Sequence, residues 1–318
     1  MNAPPEASGI VHRIPLPNPF FEGEINTWLI VDRPLTLVDA GLNSEESLVA
    51  LRSGLDKLGF RIEQIERLIL THRHPDHVGL ARKIVEFSSA QVWIHSEDRV
   101  VFDDPVKRAA EFPDRLADGL GAWGAPHAVL DPVVDFFRHS SVIIPEVDTH
   151  PLSDAQVLPC ERSPIVVHHT PGHSLGHVTL QYADHLLVGD HVLERITPNI
   201  GSGEFHARGS LRKYLQGLQK VASLCSDRTI ACPGHGPAFR TLPHRARVIA
   251  EHHDERETDV LNILKRDRSA TVYDMARALF GTMDSVHLML GMGEAFAHLD
   301  KLHAEGRIQT HHGKFQLA

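Results

Sequence analysis

The apolar stretch Leu68-Ile69-Leu70 runs directly into Thr71-His72-Arg73-His74-Pro75-Asp76-His77. A short apolar run of this kind reads as a buried strand, so three imidazoles and a carboxylate emerge together at its exit. These are borderline-soft donors suited to zinc, iron or a similar transition ion. The run is a candidate metal site, but only half of one. The fold must bring further ligands to the same place.

Three other segments offer them. Thr170-Pro171-Gly172-His173-Ser174-Leu175-Gly176-His177, Gly189-Asp190 and Pro233-Gly234-His235-Gly236 each follow an apolar stretch, and strand exits of this kind can converge on the first run. Strands are expected at 25–31, 35–38, 91–95, 165–169, 177–182, 185–188 and 228–231. Helices are expected at about 44–58, capped by Ser44 and stopped by Gly59, at 78–87 and at 210–224. Gly172, Gly189, Gly234 and Gly236 suit tight turns that let backbone approach an ion. The stretch 97–139 reads as mostly helical, broken by Pro105, Pro113, Pro126 and Pro132. It carries Phe102, Phe112, Trp123, Phe136 and Phe137, either as an extra layer burying its own aromatics or as a lid.

With 24 histidines in the chain, most are not ligands. His169 and His177 flank His173 and can orient it as outer supports. Asp39, after a buried strand, is expected to brace the His run through backbone hydrogen bonds. His191 reads as structural or as pocket wall, and His252, His253, His311 and His312 as solvated.

Taken in order, these motifs resemble the metallo-β-lactamase superfamily over roughly the first 240 residues. The resemblance implies an α/β fold, an αββα sandwich in which two sheets face each other under outer helices. It implies that His72, His74 and His173 hold one divalent ion and that Asp76, His77 and His235 hold a second. Asp190 would bridge the two. Zinc is the expected metal, with iron or manganese as alternatives. Such a pair traps and acidifies a bridging water, giving a hydroxide nucleophile, and Asp76 orients it and takes its proton.

From Pro243 the chain reads as three helices (245–265, 272–280, 287–304) and a hairpin around His311-His312-Gly313, with Thr271 and Asp274 as a capping box. This describes a small winged-helix domain at 243–318 behind a catalytic domain at 1–242 that contains the helical insertion 97–140. The combination is similar to lactamase-like hydrolases with an appended winged helix, a group that includes endoribonucleases and acyl-carrier thioesterases. Thr197-Pro198-Asn199-Ile200 recurs in bacterial hydrolases of this type, and its loop is expected beside the metals. Departures from other branches narrow the choice. The bridging Asp190 and the metal-position His77 disfavour antibiotic hydrolysis. Leu193 stands where lactonases of the superfamily carry a catalytic tyrosine, and the tail lacks the basic glutathione contacts of glyoxalase II.

Charge then ranks the substrates. The 32 Lys and Arg against 41 Asp and Glu give a formal charge of -9, and the tail from Arg240 is neutral with 11 of each sign. Nucleic acid and anionic membranes are repelled rather than recruited. The expected recognition helix, 286–304, has Lys301 as its basic residue and presents Leu288, Leu290, Phe296, Leu299 and Leu302 for core contact. A DNA-binding regulator is therefore disfavoured, and the tail is expected to pack on the catalytic domain or to form a homo-oligomer interface. The first reading is a hydrolase of acyl thioesters or small esters. Cleavage of single-stranded RNA is the runner-up, with a lactonase and a mononuclear iron dioxygenase behind it. Residues 1–10 lack the pattern of a signal peptide, no apolar run reaches bilayer length, and three cysteines form no CxxC pair, so a cytoplasmic protein is expected.

Overall fold

The computed structural model describes residues 10–19, 23–139, 144, 146–201, 207–283 and 285–318. Residues 1–9, on which most of the signal-peptide reading rests, lie outside that set. The first sheet holds six strands in chain order: β1 (Val11–Leu16), β2 (Ile25–Ile30), β3 (Thr36–Val38), β4 (Arg67–Ile69), β5 (Gln91–His95) and β6 (Thr149–Leu152). The second runs β11-β10-β9-β8-β7, from β7 (Val157–Leu158), β8 (Ile165–His169), β9 (Val178–Tyr182), β10 (His185–Gly189) and β11 (Ile230–Pro233). Strands β3 to β6 pair in parallel, as do β10 and β11, while the other pairs in the two sheets are antiparallel.

The apolar runs become strands because side chains alternate between two covered faces. In β4 and its exit, Leu68 and Leu70 face one core and Ile69 the other. The second sheet repeats the device, with Leu186 and Val188 outward and Leu187 inward. The inward residues, among them Trp28, Val38, Ile69, Val167, Leu180 and Cys232, form the core between the sheets. On the outer side of the first sheet lie α1 (Glu45–Lys57), the single turn α2 (Pro75–Val78), α3 (Ala81–Ser88) and the short α4 (Ser96–Arg99). Ser44 caps α1 by accepting from the Ser47 amide, and Gly59 follows its end with φ 81°. The αββα sandwich expected from the sequence is therefore present. The single helix expected at 78–87 is instead α2 and α3 with a break at Gly79-Leu80.

The insertion folds as α5 (Pro105–Ala122) and α6 (His127–His139). Pro113 and Pro132 lie inside these helices rather than breaking them. Each removes one backbone donor, a loss that a packed helix can absorb. Beyond β10 come α7 (Ser210–Ser223), then α8 (Leu242–Asp267), α9 (Val272–Phe280) and α10 (Ser285–Ala304), and finally the hairpin β12 (Ile308–His311) and β13 (Lys314–Leu317). The Thr271–Asp274 capping box is formed, and His312-Gly313 turn the hairpin with positive φ at both residues. α8 contributes Ala246 and Ile249 to the core over the second sheet and Val260, Ile263 and Leu264 to the core of the tail.

The insertion and the tail share that last core. Leu116, Leu120, Trp123, Leu130 and Val133 pack with Met275, Leu288, Met292, Phe296, Leu299 and Leu302. The Trp123 ring stacks on Phe296 at 4.6 Å, and the Trp123 carbonyl accepts from the Tyr273 amide. The insertion's aromatics are thus mostly structural, although Phe136 is exposed. Among the described residues no helix is long and apolar enough to cross a membrane. Trp123→Ala should remove a ring from the joint core at a cost of about 3–5 kcal/mol. Urea denaturation should show the midpoint falling, with insertion and tail loosening together in hydrogen exchange. Protection lost in the insertion alone would contradict the shared core.

Candidate metal centre

The four strand exits meet at one edge of the sandwich, where the sheets are also stitched together. The Thr71 carbonyl accepts from the Val178 amide at 2.8 Å, and the Gly234 carbonyl accepts from the Asn26 amide at 2.6 Å. Pro75 holds His74 extended (φ -65°, ψ 145°) and begins α2. That single turn places Asp76 and His77 on the side of the run facing the other exits.

Three overlapping groups of donor atoms result: His72, His74 and His173; His72, His77 and Asp190; Asp76, His77 and His235. His74 Nδ1 lies 3.0 Å from His72 Nε2 and 2.9 Å from His173 Nε2. Asp190 Oδ2 stands between the groups. It lies 3.4 Å from His77 Nε2, 3.5 Å from His235 Nε2, 3.6 Å from His173 Nε2 and 4.0 Å from His72 Nε2. Asp76 Oδ2 is 3.4 Å from His235 Nε2 and 3.9 Å from His77 Nε2. All seven residues named from the sequence are thus gathered around one point.

Surrounding groups aim the rings. His72 Nδ1 meets the Thr71 hydroxyl at 3.0 Å, His173 Nδ1 the Asn199 carbonyl at 2.8 Å and His235 Nδ1 the Glu24 carbonyl at 3.1 Å. His77 Nδ1 lies 2.9 Å from Asp39 Oδ2, and Asp39 also accepts from the Thr71 amide and hydroxyl. Asp39 therefore braces the run and also fixes a ligand ring directly. His177 Nε2 accepts the Asp190 amide at 3.2 Å, which requires the proton on Nδ1, where Thr170 Oγ1 takes it at 2.9 Å. The backbone must come close here. A Cβ on Gly234 would sit 2.1 Å from Asp190 Oδ1, and Gly189, at φ 46°, would strike His177 and Thr71.

Other sequence expectations change. His169 does not touch His173: it bonds the Leu175 carbonyl and stacks on His95 at 3.9 Å, so it supports the loop rather than the ring. His191 keeps the structural role expected of it, buried under α7 against Tyr214 and pushed down to about 3 by that burial. His253, expected in solvent, is fully buried. Asp98 of α4 was not legible as a site residue. It accepts from the Arg73 amide, the Ser174 hydroxyl and the Gly176 amide, clamping the first His run to the His173 loop. Its only sequence signal is an acidic residue just past the exit of β5.

The electrostatics ask for a cation. Burial and the neighbouring rings hold His72 and His74 well below the usual imidazole range. Burial pulls on His77 in the same direction, but Asp190, Asp39 and Asp76 together outweigh it and raise it well above that range. His235 is likewise pushed up to about 10 against its burial by Asp190 and Asp76. The carboxylates thus demand positive charge, which divalent ions would supply without ring protons. His77 Nε2, His235 Nε2 and Asp190 Oδ1 are buried with no hydrogen-bond partner, a cost that coordination removes. The donor set fits zinc.

Comparison with known proteins agrees. Residues 21–235 match the family model described as metallo-beta-lactamase superfamily, and residues 258–317 match that of the metallo-beta-lactamase-like C-terminal domain. The probable metallo-hydrolase YqjP of Bacillus subtilis is 26% identical over 94% of this chain and 93% of its own. A metallo-beta-lactamase family protein from Thermus thermophilus superposes with TM-score 0.83 at 25% identity, covering 98% of this chain and 99% of that one. A beta-lactamase domain protein from Burkholderia ambifaria gives the same TM-score at 24% identity over 100% and 96%.

Asp98→Ala should leave three donors unpaired around the clamp, two of them in buried bonds. Metal affinity, measured by competition with a chromophoric chelator, should fall about 10–100-fold, and the melting temperature should drop. Asp98→Asn, which keeps one acceptor oxygen, should fall between. Unchanged affinity in both variants would remove Asp98 from the site.

Proposed function

The chain belongs to the metallo-beta-lactamase superfamily, and from that premise we propose that it is a hydrolase working with two divalent metal ions, zinc being the best match to its donors. The observation that carries this reading is the position of Asp190 Oδ2, within 3.4–4.0 Å of ring nitrogens from both halves of the site. His72, His74 and His173 would hold one ion, Asp76, His77 and His235 the other, and Asp190 both. The chemistry such ions supply is acidification of a water and polarisation of the oxygen in the bond under attack.

The protein's own groups do the rest. His177, through the Asp190 amide, holds the bridging carboxylate in place. Asp76 is the most exposed of the three carboxylates, with 12% of its side chain accessible against 7% for Asp190 and 2% for Asp39. It is therefore the group placed to take a proton on its other oxygen and pass it to solvent, with Asn18 Nδ2 donating to Oδ2 at 3.4 Å to orient it.

We assign the substrate to acyl thioesters or small esters that carry an anionic group. Burial lowers Arg108, and repulsion from Arg115 and from Arg73 within the His run adds to that effect. Arg108 of α5 thus feels the positive charge of Arg115 and of Arg73 in the His run, opposed in part by Asp103 and Glu111. So local a positive field suits one carboxylate or phosphate rather than a long phosphate backbone. The insertion's aromatics no longer argue for an apolar pocket, because Phe112, Trp123 and Phe137 are committed to the core.

Asp190→Ala should lower the metal content of purified protein and abolish hydrolysis; full occupancy with full turnover would overturn the two-ion reading. In a panel of thioesters, esters, lactones and single-stranded RNA, anionic acyl substrates should turn over fastest, with a shallow salt dependence. Arg108→Ala should raise KM for them more than it lowers kcat. RNA cleavage with a steep salt dependence and no ester turnover would instead make the protein a nuclease.

A further inference from the structure

A second cluster of donors lies outside this centre. His253 of α8 and Glu294 and His298 of α10 gather their ligand atoms within 4.8 Å of one another, all three residues buried. Glu294 and His298 are four residues apart and share one helix face. His253 Nδ1 is 3.3 Å from His298 Nε2, and Glu294 Oε1 is 3.6 Å and 3.4 Å from those two nitrogens.

The His253–His298 contact is a long hydrogen bond, and both contacts to Glu294 are longer than a good imidazole–carboxylate hydrogen bond. An imidazole bound to a carboxylate closes to about 2.7–2.9 Å, and His77 and Asp39 do so here at 2.9 Å. Zinc with ligands at about 2.0–2.1 Å in a tetrahedron sets them about 3.3–3.4 Å apart. The cluster therefore has the spacing of atoms arranged around an ion, as His77, His235 and Asp190 do at the principal centre. The charge argument agrees. Among the described residues, the only ion-pair partners of Glu294 are these two imidazoles, and a buried carboxylate without a cation is costly.

We propose that His253, Glu294 and His298 form a separate zinc site that fastens α10 to α8. The second oxygen of Glu294 accepts the Ile200 amide at 3.0 Å, and Asn199 Nδ2 donates to the Leu290 carbonyl at 3.2 Å. The same Asn199 offers its carbonyl to His173 Nδ1. An ion on Glu294 thus stiffens the loop that aims a ligand of the principal centre. His253 Nε2 and His298 Nδ1 have no hydrogen-bond partner, so these rings lack the outer supports of the principal ligands, and this zinc binds the more weakly.

The test uses full-length protein in which the principal centre is disabled by His72→Ala, Asp190→Ala and His235→Ala, loaded with zinc and freed of excess by gel filtration. About one zinc per chain should remain by mass spectrometry. Adding His298→Ala should remove it, and Co2+ in its place should give the visible absorption of a tetrahedral ion. Zero zinc in the folded triple variant, or one zinc that survives His298→Ala, overturns the proposal. Should the triple variant fail to fold by circular dichroism, chelator titration of the otherwise unaltered chain decides. Its stoichiometry should drop by one, from the weakest step, in both His298→Ala and Glu294→Gln. No drop in either would mean that a proton on one imidazole balances Glu294. Because the readout is the metal left after the principal ligands are gone, failure here is distinct from failure of the hydrolase reading.

Discussion

Asp39 leaves β3 in left-handed backbone, φ 62°, and reaches across to the neighbouring strand. Its oxygens accept from the Thr71 amide, the Thr71 hydroxyl and the His77 ring. The backbone conformation costs about 1 kcal/mol, which three buried hydrogen bonds offset. Both ends of the His run are fixed by this one residue, and the Ala40 amide, donating to the His77 carbonyl at 2.7 Å, keeps the second end against the sheet. With its ends pinned, the run can place His72, His74, Asp76 and His77 without help from a long loop. The other three exits only have to meet it.

That division explains what the sequence made legible. β2, β3, β4, β10 and β11 were readable because they are buried throughout, and the ligands because they follow apolar runs; the partly exposed β1, β6 and β7 were not expected. Asp39 and His177 could be named as supports because they border the motifs, although His177, expected to orient His173, instead accepts the Asp190 amide. Asp98 could not, since it lies 25 and 76 residues from Arg73 and Ser174, which it joins. Nothing local marks a carboxylate that will clamp two distant loops. His253 was misplaced for a related reason. α8 buries His253 and Glu257 as well as apolar residues, so the polarity that suggests solvent belongs in part to its inner face. Pro113 and Pro132 misled in the opposite sense, because packing held together helices that their local preference would interrupt.

The C-terminal helices are more than an appendage. α10 holds the 199–200 loop through Leu290 and Glu294, and it also ties the start of α7, where Asp300 accepts from Arg208 and the Gly209 amide. A ligand ring is therefore aimed by a loop that the tail positions. The groove of about 630 Å3 between α5 and α6, lined by Leu130, Val134 and Asp131 among others, lies away from the metal residues.

The same geometry sets where stability and metal binding meet. The core between the sheets is built of apolar side chains and stands apart from the ligands. The exits differ, because they crowd five imidazoles and three carboxylates into one edge and leave ring nitrogens of His77 and His235 without hydrogen-bond partners. Without cations, the charge needed by Asp190 and Asp76 must come from protons on those two rings, which then face each other across 5.7 Å. Divalent ions replace that repulsion with attraction to every ligand at once. Metal binding should therefore tighten the strand exits and the loops they carry, while the sheets beneath serve as a preformed floor.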